Sequence, residues 1–151
     1  MIVDVQVLDD RLTGLSYATA ATAGAAGVDV YACVNEVELI PAGMTKLVPL
    51  GFAMALPENT AALLLPRSWL GHKSGIVLGN LVGLIDHDYR GQVFASVWNR
   101  NPIGSPAFQI NPMDRIAQMI VVPVLRPEYR VVSELPTTER GDGGFGSTGT
   151  A

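Results

Sequence analysis

The chain has 151 residues, 48% of them hydrophobic, which is enough to bury a core within one ordinary domain. Its formal net charge of −4 disfavours a general nucleic-acid or anionic-membrane surface, while leaving room for a local basic pocket. A single cysteine, Cys33, excludes an internal disulfide, and with only two histidines, His72 and His87, no cluster has the spacing of a structural zinc site.

The longest apolar runs, such as 119–125, fall far short of the roughly 18 residues that span a bilayer. The opening "MIVDVQVLDD" lacks the basic and apolar regions of an export signal, so a cytoplasmic location is expected. Val3, Val5 and Val7 alternate with Asp4 and Gln6, which predicts a half-buried strand. Short strands are predicted next over 29–34, 36–40, 46–49, 52–56 and 61–65, then a helix of about a turn and a half over 68–73 with Ser68 as its N-cap. Further strands follow over 92–98 and 116–124. Sixteen glycines and ten prolines punctuate these runs, most clearly at 41–43 and 101–106. Many short strands and almost no 3.6-residue period predict an all-β sandwich or barrel. Pro123 in the apolar strand 116–124 cannot donate to a ladder, and edges of this kind favour protection by a second copy.

Five polar segments interrupt the β pattern, and five of the ten Lys and Arg residues (Arg67, Lys73, Arg90, Arg115, Arg140) fall within them, as a divided anion site would require. "AGVDVYA" places Asp29 at a strand start, by itself an ordinary turn carboxylate. "PRSWLGHKSG" sets Arg67 and Ser68 where a strand meets a short helix whose first N–H groups suit phosphate. It is not a Walker A loop, because His72 stands between Gly71 and Lys73. In "GNLVGLIDHDYRG", Asp86 and Asp88 flank His87 at a bend. They read either as turn formers bonding their own backbone or with one aspartate as a general base; His87 reads as a solvated turn residue. In "DRIAQMIV", Arg115 and Gln118 stand three apart and face opposite sides of a regular strand. The terminal "ERGDGGFGSTG" reads as a frayed end or as an arm whose glycines let backbone approach anionic oxygens while Phe145 stacks on a flat ligand.

Taken in order, these five segments resemble the five motifs of the trimeric deoxyuridine triphosphatase family, from about residue 24 to residue 149. The resemblance implies a β-clip or distorted jelly-roll subunit over 1–136, with one short helix, and a glycine-rich arm over 137–151 that closes over the active site. It implies a homotrimer with sites at subunit interfaces, and hydrolysis of dUTP to dUMP and pyrophosphate with Mg²⁺, which limits uracil incorporation into DNA and supplies dUMP for thymidylate synthesis. Asp86 would then hold and deprotonate the attacking water. Arg67, Ser68, Trp69 and Gln118 would surround the phosphates, with Asn80 pairing the uracil through a buried amide edge and Leu84 beside it. Tyr89 would stack on the deoxyribose and exclude a 2′-hydroxyl. Phe145 and Gly146 would cover the base, while Arg140, Ser147 and Thr148 reach the outer phosphate. Asp29 would contact Mg²⁺ through water. Trp69 departs from the family pattern, which usually has glycine or another small residue there; its ring either points outward or crowds the phosphates.

Three rivals have distinct marks. The dCTP deaminase family shares an Arg-Ser phosphate turn but uses a glutamate where this chain has "IDHDYRG". The all-α nucleotide pyrophosphohydrolases carry helical E-E-x-x-E carboxylates, absent here. A nucleotide-gated binding protein would keep the pocket and subordinate turnover to a partner.

Overall fold

A computed structural model describes residues 1–14 and 22–144; Phe145, Gly146, Ser147 and Thr148 lie outside the described residues. Eleven strands and one short α-helix are present among the described residues: β1 (Asp4–Val7), β2 (Val28–Tyr31), β3 (Glu38–Ile40), β4 (Thr45–Pro49), β5 (Phe52–Ala55), β6 (Thr60–Pro66), α1 (Ser68–Lys73), β7 (Ile76–Leu78), β8 (Gly83–Asp86), β9 (Phe94–Asn99), β10 (Phe108–Ile110) and β11 (Arg115–Pro123). No helix among them is long and apolar enough to cross a membrane.

All pairings are antiparallel. The larger sheet runs β2-β11-β6-β8, a three-stranded sheet runs β4-β9-β7, and β1 with β5 and β3 with β10 form two-stranded ribbons. β6 and β11 of the larger sheet touch β7 and β9 of the smaller, and the residues they turn inward make one core with Phe52, Ile40, Leu50, Leu64, Ile76, Leu78, Val97 and Ile110. Each such side chain contributes roughly 1.5–3 kcal/mol on burial. This is a distorted jelly roll.

Two local expectations differ from what forms. β1 pairs only with β5, and Val5 and Val7 stay exposed because no second layer covers the ribbon in one chain. Ser68 is the first residue of α1 rather than its cap: Arg67 takes the N-cap position, with extended backbone and no side-chain cap bond.

Near the N-terminus, Asp9, Arg11 and Cys33 tie the first ribbon to the core. Arg11 donates from Nη2 to Asp9 Oδ2 at 2.5 Å and from Nη1 to the Val34 carbonyl at 2.7 Å. Gly51, at φ +74°, brings its carbonyl to the N–H groups of Leu8 and Asp9. A Cβ there would stand 2.5 Å from Cys33 Sγ, so only glycine fits. The Arg11 hydrogen bond holds the Asp9 carboxyl down at about 2, and burial, helped by the Asp9 charge, pushes the Cys33 thiol up to about 11.

These shifts set a pH window. The depressed Asp9 contributes stability that is complete above the ordinary carboxylate pKa of about 4 and is lost as pH falls toward 2. The raised Cys33 contributes stability that is complete below its ordinary value of 9.0 and is lost as pH rises through about 11. Melting temperature should therefore fall across that alkaline interval in the wild type, and Cys33→Ala should flatten the fall. An identical alkaline decline in the variant would contradict the assignment.

Candidate active site

The register of the larger sheet distributes the polar segments between two places. At one end, Gln118 on β11 pairs with Asp29 on β2 and with Leu65 on β6, next to Pro66 and Arg67. Arg67 donates from Nε to Asp29 Oδ1 at 2.9 Å and from Nη1 to the Arg115 carbonyl at 3.1 Å. Arg115 donates from Nη1 to Asp29 Oδ2 at 3.2 Å, and Gln118 Nε2 donates to the Pro66 carbonyl at 2.9 Å. Two guanidiniums sharing one carboxylate leave one net positive charge.

Arg115 and Gln118 were expected on opposite faces. A register shift between Arg115 and Ala117 makes Ile116 and Ala117 consecutive buried residues, breaks the alternation, and brings both polar side chains to the Asp29 and Arg67 neighbourhood. Beside them, a cleft of about 280 Å³ is lined by Arg67, Trp69, Phe108, Asp114 and Arg115. Trp69 stands at its rim, 63% exposed, and Ser68 beside it is exposed.

The second place lies at the other end of β6. There β8 ends at Asp86, which is paired with Ala61, and a cleft of about 350 Å³ is lined by Leu47, Asn80, Leu84, Asp86, Tyr89, Gln92 and Phe94, among others. The hairpin before β8 turns through Leu81 at φ +63°, a left-handed conformation costly for leucine and typical of a backbone constrained for function. Gly83 lies so close to β6 that a Cβ would stand 3.0 Å from that of Leu64. Asn80 was expected to present a buried amide; in the single chain it is exposed, since it lies in the turn between β7 and β8 rather than in a strand. Asp86 is also exposed, accepting the Tyr89 N–H through its carbonyl at 3.2 Å. His87 contributes a backbone carbonyl to Arg90 Nη1. Leu47, Gln92 and Phe94 had not been expected in the site: Leu47 on β4 and Phe94 on β9 reach it through sheet pairing, whereas Gln92 belongs to the loop that follows Asp86. Arg140, in the tail, donates from Nε to the Gly143 carbonyl.

Ala61 and Pro66 stand five residues apart on β6, so the Asp86 end and the arginine end are about 17 Å apart along the strand. One chain brings Asp29, Arg67, Arg115 and Gln118 together, and separately Asn80, Leu84, Asp86 and Tyr89. It does not join the two sets.

Among the described residues no group of three or more His, Cys, Asp or Glu could cage a metal ion. Asp29 has three of its roughly four lone-pair directions taken by guanidinium N–H groups. One direction remains, which suits accepting from a metal-bound water rather than ligating an ion outright.

An arginine pair suited to phosphate and a carboxylate-bearing cleft wide enough for a flat base are the equipment of a nucleotide-phosphate hydrolase built on an all-β subunit. The family model for dUTPase matches residues 15–149. A deoxyuridine 5'-triphosphate nucleotidohydrolase of Azoarcus sp. (strain BH72) is 57% identical over 148 residues, 97% of either chain. That of Aromatoleum aromaticum is 54% identical over the same share. Among solved structures, the dUTPase of Staphylococcus bacteriophage 80alpha with dUPNHPP superposes with a TM-score of 0.79 at 22% identity, covering 99% of either chain. A dUTPase from phage phi11 of S. aureus superposes at 0.76 and 21% identity, covering 91% of this chain and all of that one. The chain belongs to the dUTPase family.

The anion-binding reading of the arginine pair has a direct test. Arg67→Gln removes the net positive charge and should weaken binding of inorganic tripolyphosphate, measured by calorimetry without metal, by about tenfold, or ~1.4 kcal/mol. Unchanged affinity would show that the pair serves the fold alone.

Proposed function

We propose that this protein hydrolyses dUTP to dUMP and pyrophosphate, at sites assembled between copies of the chain. The observation that carries the proposal is the placement of Asp86 at the mouth of a base-sized cleft, with the phosphate-binding arginines about 17 Å away along the same strand. Attack at the α-phosphate requires reacting atoms about 3–3.5 Å apart. The carboxylate of one copy must therefore meet the arginines of another, which supports a homo-oligomer, a trimer by family resemblance.

In this reading the uracil enters the Asn80 cleft. The Asn80 amide and the backbone of the hairpin accept and donate in the order uracil presents; cytosine, with donors and acceptors exchanged, leaves them unpaired. A thymine methyl gains little from affinity alone, so a rigid hairpin that clashes with it provides the rejection. Leu84 flanks the base, and Tyr89 packs on the deoxyribose where a 2′-hydroxyl would project.

Asp86, exposed at the end of β8, accepts a proton from a water whose oxygen attacks the α-phosphorus as the bond to the bridging oxygen breaks and pyrophosphate leaves. On the neighbouring copy Arg67, Ser68 and Gln118, with backbone N–H groups at the start of α1, hold the phosphates and stabilise charge developing on the leaving pyrophosphate. Trp69 borders that grip. Asp29 would hold Mg²⁺ through water, as suits a hard ion that dehydrates reluctantly, and the ion would supply charge neutralisation at the phosphates. Residues 137–151 act as an arm: Arg140, Ser147 and Thr148 reach the outer phosphate while Phe145 and Gly146 cover the base, excluding bulk water.

Asp86→Asn should retain dUTP binding and assembly while kcat falls by about 10²- to 10⁴-fold, the size of a general-base contribution. Pyrophosphate release measured beside nucleotide binding separates the two effects. Near-wild-type turnover in this variant would remove Asp86 from the reaction.

A further inference from the structure

The loop that follows Asp86 contains a contact that the reaction itself does not require. Tyr89 folds back over its own loop: its hydroxyl donates to the Gln92 carbonyl at 3.0 Å, and its N–H closes a turn on Asp86. The ring rests on the backbone of Gly91. A Cβ built at Gly91 would lie 2.5 Å from the Tyr89 hydroxyl oxygen and 2.7 Å from Cζ, separations that real Cβ atoms essentially never show, and a tight 3.1 Å from Cε2. Arg90, between them, donates to the His87 and Tyr89 carbonyls at 2.7 and 3.0 Å and fixes the loop from the other side.

Gly91 is not among the glycines with positive φ, so an alanine meets no backbone penalty there. It is exposed, and no atom outside Tyr89 stands among the nearest to its hypothetical Cβ. The requirement for glycine therefore comes from one side chain, and that side chain lines the nucleotide cleft together with Asp86 and Gln92.

We propose that Gly91 is a specificity-determining positioning residue: by leaving room for the Tyr89 ring to lie flat on the loop, it sets the height of the wall that excludes a 2′-hydroxyl. The proposal rests on the dUTP reading above and names the element that tunes its sugar selectivity. Gly91→Ala must lift the ring off the loop and break the bond to the Gln92 carbonyl, because a hydroxyl at 2.5 Å from carbon cannot stay. The loop backbone keeps its path.

The test is a double-mutant cycle read in the ratio of kcat/KM for dUTP to that for UTP. Gly91→Ala should lower the ratio about tenfold in the presence of Tyr89 and by less than about twofold in a Tyr89→Ala background, since its effect passes through the ring. No change with Tyr89 present, or the same change in both backgrounds, would overturn the proposal. A second measurement needs no turnover: in tyrosine-labelled protein without nucleotide, the Tyr89 ring resonances should shift in Gly91→Ala while those of Tyr31 stay in place. An unmoved Tyr89 signal also overturns it. Failure of the wild type to hydrolyse dUTP, with the ring shift present, would instead strike the functional reading and leave the positioning contact standing.

Discussion

The antiparallel pairing of β6 with β8 on one side and β11 on the other is the constraint from which the rest follows. It places Asp86 opposite Ala61 and Gln118 opposite Leu65, so one strand carries the carboxylate at one end and the anion grip at the other. Backbone hydrogen bonds over seven residue pairs between β6 and β11 fix that separation. No side-chain rearrangement closes a gap of about 17 Å. On the function proposed above, a chain built this way holds half of two sites, and copies have to meet for either half to act.

The same pairing explains the electrostatics of the grip. The bulge at the start of β11 puts Arg115 beside Asp29, and the end of β6 delivers Arg67 to the other oxygen of the same carboxylate. Asp29 holds two like charges in place with their donors oriented, which preorganises them for an anion. At the opposite end, close packing at Gly83 and Gly91 shapes the walls around the Asp86 carboxylate.

Much of this was legible in the chain, for identifiable reasons. The β class and the helix at 68–73 follow from period-two apolar runs and from a polar break after Pro66. β7, β8 and β10 are short runs set among glycine, proline and polar residues, where turn signals outweigh a strand pattern. The cap position failed because Arg67 is recruited by Asp29, a contact 38 residues distant. The opposite-face reading of Arg115 and Gln118 failed because a bulge leaves no local mark. Asn80 and Asp86 stood out in their motif, whereas Leu47 and Phe94 join the cleft through β4 pairing with β9, and nothing in their own neighbourhoods announces it. Val5, Val7 and Asn80 are exposed in the single chain; alternation and motif position in the sequence do not specify which layer, if any, covers a residue.

The most direct measurement of the central claim is complementation between two defective variants, Asp86→Asn and Arg67→Gln, each assayed alone and after mixing under conditions that exchange subunits. If each site takes its carboxylate and its arginine from different copies, random 1:1 exchange should make roughly a quarter of the sites fully wild-type, and dUTP hydrolysis should rise toward that fraction of the wild-type rate. Activity that never exceeds the average of the two variants, despite demonstrated exchange, would mean that one chain completes the site and would contradict the account.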